Sequence, residues 1–222
     1  MILTTANRVF DVKAAVELLR KNAIETASDA DAPMIRSIDI DIDGRTARFD
    51  VLGYDIDVAA AEEGKEPEHT ATLQMHFLTD EMIPFCDEKR PDIGQVAPNK
   101  WSTSTIRQRI NDEEFIEEHF GDLADYIVPA VIKAKGDDPV IDRVFILSKE
   151  EINSETTPYI FYKNNESRTR VTIDGEPDWY WTRSAYRGGA NSTWCVSSGG
   201  SVTSSGAYGA YRALPSLVID IS

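Results

Sequence analysis

Histidine and cysteine are the residues of this chain best suited to act as nucleophiles, bases or metal ligands. The 222 residues include three histidines, His69, His76 and His119, and two cysteines, Cys86 and Cys195. Their spacing gives neither a zinc motif nor a disulfide framework, and no P-loop, Gly-rich dinucleotide turn or H-E-x-x-H motif accompanies them. A Cys–His nucleophile pair remains an alternative without a local signature. The sequence therefore offers no catalytic constellation.

An acidic stretch, "DIDIDGRTARFD", raises the question of a calcium site. Asp39, Asp41 and Asp43 precede Gly44 as in an EF-hand loop, and Asp50 would stand where a bidentate glutamate is usual. The same aspartates alternate with isoleucines at a period of two, and no helix leads into the loop. Because Asp-Gly is a strong hairpin signal, we predict two strands joined at residues 43–44 and keep calcium as the alternative.

Two polar segments near the C-terminus, residues 185–193 and 197–207, contain almost no charge in a chain that is otherwise strongly acidic. Tyr, Ser, Gly and Asn dominate them, a composition typical of antibody binding loops, in which Tyr gives rigid contact area and Ser and Asn give adaptable hydrogen bonds. We predict a recognition face there. Its expected ligand-binding residues are Tyr180, Tyr186, Arg187, Asn191, Thr193, Ser198, Ser204 and Tyr208.

Aromatic and basic residues next to these segments are interpreted as structural. Strand periodicity predicts that Trp179 and Trp181 point into the core, so that Tyr180 and Thr182 point the other way. Trp194 is also interpreted as a core aromatic beneath the loops. Two arginines, Arg183 and Arg212, are predicted to be buried and to donate to loop carbonyls, with a clamp on a ligand carboxylate as the alternative.

Composition narrows the class of protein. The hydrophobic share of 41% and the charged share of 27% are those of a globular chain, and the net charge of −15 argues against partners that are polyanions, such as nucleic acid or an anionic membrane. No apolar run approaches the ~18 residues of a membrane span, and no signal peptide is visible. We expect synthesis in the cytoplasm without a signal peptide and no membrane insertion.

Periodicity places these residues on a series of elements. An amphipathic helix is predicted after Asn7, ended near Pro33, and it could belong to the core or form an arm that docks on a partner. We accordingly divide the chain into an N-terminal helical arm, residues 1–34, and a domain, residues 35–222. A strand follows at 69–80, one or two helices at 101–128 with a cap at Ser102–Ser104, and a short buried strand followed by a turn at 142–152.

Four blocks of the sequence resemble, in order, those of an uncharacterised family found in phages, prophages and gut bacteria. They are "HTATLQMHFLTDEMIPFCDE", "WSTSTIRQRINDEEF", "DRVFILSKEEI" and a C-terminal region running from "WYWTRS" to "YGAYRALPSLVIDIS". The family pattern ends in W-W-L-R-[ST]-P, polar loops, Y-G-V-R-P-A-L and a terminal strand. The resemblance covers residues 38–222 and leaves the first helix outside.

This resemblance implies an α+β, C-type-lectin-like fold, related to formylglycine-generating enzymes and to phage receptor-binding proteins varied by retroelements. Such a fold pairs its first and last strands, here "IRSIDIDI" and "SLVIDIS". The implied function is non-catalytic, virion-associated binding of a host-surface protein or glycan, without a cofactor. One alternative is a structural decoration of a phage tail or capsid, attached to virion proteins through the first helix. A remote one is a formylglycine-generating-type enzyme, which requires Cys86 and Cys195 to lie close together.

Overall fold

The chain is an α+β protein in which strands outnumber helices. The computed structural model describes residues 8–29, 31–60, 66–87, 97–153, 157, 159, 162 and 168–222. Parts of the stretches 62–68, 84–99 and 157–164 therefore lie outside the described residues. The helices are α1 (Val12–Ser28), α2 (Thr105–Ile110), α3 (Glu113–Phe120) and α4 (Lys149–Asn153). The strands are β1 (Val9–Phe10), β2 (Ser37–Ile42), β3 (Arg45–Tyr54), β4 (Thr70–Met75), β5 (Met82–Pro84), β6 (Ile127–Val128), β7 (Ala130–Ile132), β8 (Val140–Asp142), β9 (Val144–Phe145), β10 (Tyr180–Ala185), β11 (Ser192–Val196), β12 (Val202–Gly206), β13 (Ala210–Arg212) and β14 (Ser216–Asp220).

The predicted hairpin at the aspartate-rich stretch is confirmed. Strands β2 and β3 pair antiparallel from Ser37↔Asp50 to Ile42↔Arg45. Asp43 and Gly44 both have positive φ, 53° and 80°, as a tight two-residue hairpin turn requires. The Asp39 carboxylate accepts from the Arg48 guanidinium at 2.7 and 2.9 Å. The stretch is thus a hairpin rather than a calcium-binding loop after a helix.

A seven-stranded sheet contains this hairpin, in the order β1-β2-β3-β4-β14-β6, with β9 also pairing with β14. The expected pairing of the β2 segment with the C-terminal strand is wrong, because β3 and β4 lie between them. Instead β14 pairs antiparallel with β4, from Ser216↔Gln74 to Asp220↔Thr70. Several strands have similar apolar alternation, so the alternation does not specify which strands are neighbours. Strands β2 and β3 pair with each other because a two-residue turn joins them.

A second sheet of five strands, in the order β12-β11-β10-β13-β5, carries the polar C-terminal segments. Its central strand β10 is buried along Tyr180–Ser184, so both of its faces are covered. The indole nitrogen of Trp181 donates to the Ile83 carbonyl at 2.9 Å, and the Trp181 ring meets Phe85 edge to face. Trp181 is therefore the core aromatic that the sequence predicts, whereas Trp179 is half-buried and stacks on Tyr211.

The first helix belongs to the core rather than to a separate arm. Helix α1 starts at an Asp11 cap, and its apolar residues Val12, Val16 and Leu19 belong to the same hydrophobic cluster as the sheets. Asn22 of α1 is buried, donates to the Pro33 carbonyl and accepts from the amide of Ile35 and the hydroxyl of Tyr54. The proposed boundary at residue 34 thus crosses a continuous packing interface. Within the described residues, no helix has the length and apolar character needed to cross a membrane.

Beneath the first sheet lies a buried ion pair between Asp50 of β3 and Arg170. The two side chains are 2% and 4% exposed and approach to 2.5 Å. His76 donates to the other Asp50 oxygen at 2.9 Å, and Arg170 also donates to the side-chain carbonyl of Gln74 of β4. Burial works to raise the pKa of Asp50, but the His76 hydrogen bond and the Arg170 charge outweigh it and lower that pKa. The network ties the residues around Arg170 to the middle of the sheet.

Truncating the buried face of α1 should destabilise the whole protein. Leu19 is fully buried, so we expect Leu19→Ala to lower the free energy of unfolding by about 2–5 kcal/mol. Lys21→Ala, at a side chain that is 70% exposed, is the control and should change it by less than about 0.5 kcal/mol. Chemical denaturation measures both. An unchanged midpoint for Leu19→Ala would show that α1 is an independent arm.

The Asp50 ion pair should give a pH-dependent contribution to stability. Because the folded-state pKa of Asp50 is below its ordinary value of 3.8, this contribution is present above pH 3.8 and is lost as the pH falls through the folded pKa. We expect Asp50→Asn to lower the free energy of unfolding by about 3–5 kcal/mol at neutral pH, with the difference from wild type shrinking below pH 3.8. The measurement is denaturant unfolding between pH 2 and 7. Asp174→Asn, at an exposed side chain, is the matched control; a difference that stays constant with pH would contradict a charged pair.

Candidate functional site

The predicted ligand-binding residues divide into accessible and buried ones. Arg187, Asn191 and Tyr208 are exposed, and Tyr186, Ser198 and Ser204 are half-buried. Tyr180 and Thr193 are buried, at 2% and 0% exposure, and this corrects their assignment to the recognition face. The Tyr180 hydroxyl donates to the Arg168 carbonyl at 2.8 Å. The period-two argument failed because it assumed one solvent-facing side, and β10 has none.

The accessible residues do not form one continuous face. Strands β11 and β12 pair antiparallel from Ser192↔Gly206 to Val196↔Val202, so the turn that contains Ser198 lies at one end of the hairpin. The loop with Tyr186, Arg187 and Asn191 lies at the other end, separated by the five residues of β11, about 14 Å. The Ala207 amide donates to the Asn191 carbonyl at 2.8 Å, which places Tyr208 beside that loop. Ser204 pairs directly with Trp194 across the strands.

A buried guanidinium organises the end of the sheet that carries this loop. Arg183 of β10 is 4% exposed and donates to the carbonyls of Lys133 and Ile146 at 3.1 and 2.7 Å. It also forms a two-pronged ion pair with Glu151. Arg212 likewise donates to the carbonyls of Thr79 and Asp80. Both arginines donate to loop carbonyls as predicted, but only Arg183 is buried, whereas Arg212 is half-buried.

Helix α4 presents two charged side chains beside β10 because a capping box fixes its first turn. The Ser148 hydroxyl accepts from the Glu151 amide at 3.2 Å, and the Glu151 carboxylate accepts from the Ser148 amide at 2.8 Å. Between them, Glu150 accepts from the Ser184 hydroxyl at 2.9 Å, and the Lys149 amide donates to the same hydroxyl at 3.0 Å. Lys149 and Glu150 are thereby held at the end of β10.

A cleft of about 200 Å³ lies where these elements meet. Its walls are Lys135, Lys149, Glu150, Ser184, Ala185, Tyr186, Arg187 and Trp194. The Lys149 ammonium lies 3.7 Å from the centroid of the Trp194 ring, a cation–π distance, and Tyr186 meets the same ring edge to face at 5.1 Å. Trp194 is therefore a half-buried wall of a cleft, and the interpretation of it as a core residue is corrected.

The loop that forms one wall of the cleft is fixed by a side chain from outside it. Asn99 is buried, and its amide donates to the carbonyls of Ser192 and Gly189 at 2.9 and 3.2 Å. The Tyr186 amide donates to the Ser192 carbonyl at 2.9 Å, closing the loop. A Cβ at Gly188 would come within 2.5 Å of the Tyr186 ring, so the ring lies directly on the backbone. The cleft wall is thus formed before any ligand arrives.

A larger cleft, of about 340 Å³, lies between β3, α3 and the chain near Ile173. Its two arginines already serve the fold, since Arg48 binds Asp39 and Arg45 donates to the Glu118 carbonyl. His119 stacks on Phe115 and bonds to the Phe115 carbonyl. We therefore take the smaller cleft as the candidate site, because its cations have no such partners among the residues that the structure describes.

The two cysteines are buried thiols, and the acidic side chains are not grouped as metal ligands within the described residues. Cys86 and Cys195 are both buried and form no disulfide, and burial raises the pKa of the Cys195 thiol to about 12. The Cys195 side chain is therefore a neutral thiol at physiological pH, which is a poor nucleophile. Among the residues that the structure describes, no group of three or more His, Cys, Asp or Glu side chains is arranged to hold a metal ion.

Sequence reasoning missed Asn99, Lys135, Lys149, Glu150 and Ser184. The S-K-E-E run at 148–151 is a capping-box pattern that could have located α4, and with it Lys149 and Glu150. Lys135 and Asn99 reach the site from distant parts of the chain, and no local signal marks them. Two of the eight cleft residues, Tyr186 and Arg187, were predicted.

Two threonines on neighbouring strands should respond in opposite ways to the same substitution. The buried Thr193 hydroxyl has no hydrogen-bond partner among the described residues, whereas the Thr182 hydroxyl donates to the Trp194 carbonyl at 2.9 Å. Valine has nearly the same shape without the hydroxyl. We expect Thr193→Val to raise the free energy of unfolding by about 1 kcal/mol and Thr182→Val to lower it by a similar amount. Thermal or denaturant unfolding tests both, and a destabilised Thr193→Val would reveal a partner for that hydroxyl.

Comparison with known proteins gives one family and no nearer relative. The model of a domain of unknown function, DUF6273, matches residues 74–221, about two thirds of the chain. The matched region runs from β4 to the end of β14 and includes the whole candidate site. No curated protein and no solved structure matches the chain. The chain thus belongs to the DUF6273 family.

Proposed function

We propose that this protein is a non-catalytic binding domain that recognises a host-surface protein or glycan with the cleft and loops at one end of its second sheet. The proposal includes a C-type-lectin-like architecture and a phage or prophage origin, as the sequence resemblance implies. The observation that carries it is a preformed, charge-poor loop beside an aromatic and cationic cleft in a strongly acidic protein.

Strand pairing bears on the architectural part of the proposal. The terminal strand β14 lies inside the first sheet and pairs antiparallel with β4, and the family match begins within β4 at residue 74. Its partner is β4 and not the β2 segment that the resemblance implied. The β2–β3 hairpin extends the sheet on the other side of β4.

Accessibility and order support the recognition part. Arg187 and Tyr208 are exposed, Tyr186 is half-buried, and the Asn191 carbonyl joins their two loops. Asn99 holds the loop backbone, so little conformational entropy is lost when a ligand binds. Exposed tyrosine and arginine on a rigid support are the residues that most often dominate binding energy.

The alternatives have less support. A tail or capsid decoration relied on the first helix as an attachment arm, and the apolar face of α1 is already buried in this chain's own core. A formylglycine-generating-type enzyme relies on reactive cysteines, and Cys195 is a buried thiol whose pKa is raised to about 12.

The test is binding of the purified protein to intact gut-bacterial cells and to a glycan array, with and without calcium. We expect Tyr186→Ala and Tyr208→Ala each to weaken binding by roughly ten-fold or more, because each removes aromatic contact area from the same end of the sheet. Tyr208 is 44% exposed, so the unfolding midpoint of Tyr208→Ala should stay close to that of wild type.

Ser198→Ala is the matched control, because Ser198 lies in a polar loop of similar composition at the opposite end of the β11–β12 hairpin. It should leave binding unchanged. Equal losses in Ser198→Ala and Tyr208→Ala would contradict the location of the site. Absence of binding by the wild-type protein to every cell and glycan would contradict the proposed function itself.

A further inference from the structure

The cations around the candidate cleft differ from the other arginines that the structure describes. Most of those are in ion pairs with Asp or Glu: Arg20, Arg48, Arg107, Arg109, Arg143, Arg170, Arg183 and Arg212. Lys135, Lys149 and Arg187 line the cleft, and within the described residues none of them forms an ion pair. In a chain with a net charge of −15, three cations beside a single carboxylate, Glu150, give this small cleft a local charge opposite to that of the whole molecule.

The cation of Lys149 is held in place without being neutralised. Its ammonium lies 3.7 Å from the centre of the Trp194 ring, and this aromatic ring attracts the charge but supplies no negative one. The single carboxylate of the cleft wall, Glu150, accepts from the Ser184 hydroxyl. The cleft therefore has a net positive charge, with cations available for an incoming anion.

The remaining groups favour a sugar over a bare anion. Glu150 offers a carboxylate oxygen that can accept from a hydroxyl group, and Tyr186 and Trp194 offer aromatic surface. An acidic peptide side chain has no hydroxyl groups to match the Glu150 carboxylate. A volume of about 200 Å³ is below the range for drug-sized ligands, so the cleft suits one ring-sized group.

We propose that the cleft bounded by Lys149, Arg187 and Trp194 binds a single acidic sugar residue through its carboxylate or sulfate group. This inference rests on the proposed function and specifies its ligand. The net charge of −15 repels polyanions at long range, so the ligand is an isolated acidic residue on an otherwise neutral glycan rather than a polyanionic chain. Lys135 also lines the cleft and adds to its positive charge.

Titration calorimetry of the full chain with defined probes tests the inference. The probes are glucuronate and galactose 6-sulfate as the two acidic sources, glucose as the neutral sugar, acetate as the bare anion and heparin as the polyanion. We expect glucuronate or galactose 6-sulfate to bind at least about ten-fold more tightly than glucose and acetate, and the difference between the two acidic sugars to identify the source. Heparin should bind more weakly, per sugar residue, than glucuronate or galactose 6-sulfate.

Charge reversal gives the matched variants. Lys149→Glu and Arg187→Glu should each weaken binding of the acidic sugar by about ten-fold or more, because each replaces an attraction with a repulsion. Lys13→Glu makes the same change of charge on the exposed surface of α1 and should have no effect. Each variant is first checked for a wild-type unfolding midpoint.

Three outcomes would overturn the inference while leaving the proposed function standing. They are equal binding of glucose and glucuronate, equal binding of acetate and glucuronate, and cell binding that survives Lys149→Glu and Arg187→Glu together. Failure of the wild-type protein to bind cells or any glycan would instead contradict the proposed function. An equal loss of binding in Lys13→Glu would show that overall charge, and not the cleft, controls recognition.

Discussion

The end of the molecule that carries the candidate site depends on the environment of one buried guanidinium. Arg183 donates to backbone carbonyls in the segments after β7 and after β9, and to both carboxylate oxygens of Glu151 in α4. A buried charge is tolerated only when its donors and counter-charge are all satisfied, so these segments must arrive together. Their meeting point forms the walls of the cleft, because Lys135, Lys149 and Ser184 follow directly from the segments that Arg183 joins. The fold and the candidate site thus share one interaction.

Ion pairs between secondary-structure elements also stabilise the rest of the chain. Buried carboxylates are paired with cations that join different elements. Asp50 pairs with Arg170 beneath the first sheet, and Asp142 accepts from Arg107 and Trp101 beside α2. In the cleft, by contrast, three cations form no ion pair with the described residues and share the wall with a single carboxylate, Glu150. An acidic surface around a cationic cleft attracts a single anionic group at short range and disfavours polyanions at long range. Selectivity of this kind needs no catalytic group.

Features set by neighbouring residues could be predicted from the sequence. The Asp43-Gly44 turn, the amphipathic period of α1 and the Ser104 cap of α2, which accepts from the Arg107 amide, are all local, and each was found where the pattern indicated. The α+β class follows from them. The choice of neighbours in the sheet could not be predicted, because β2 and β14 have the same alternation and only the whole packing arrangement decides that β4 lies beside β14.

For the site, the sequence by itself determined composition: a charge-poor, tyrosine-containing loop, two arginines committed to structure, and no catalytic constellation. Only the tertiary structure decided which of those residues reach solvent. Tyr180 is buried because β10 is covered on both faces, and Thr193 is buried because it lies on the covered face of β11. Ser198 lies away from the Tyr186 loop because its turn is at one end of the β11–β12 hairpin and that loop is at the other. Lys135 and Lys149 line the same cleft as Tyr186 although they lie far from it in the sequence. The physical reason is that burial and charge neutralisation are settled by contacts between segments far apart in sequence, which local patterns do not encode.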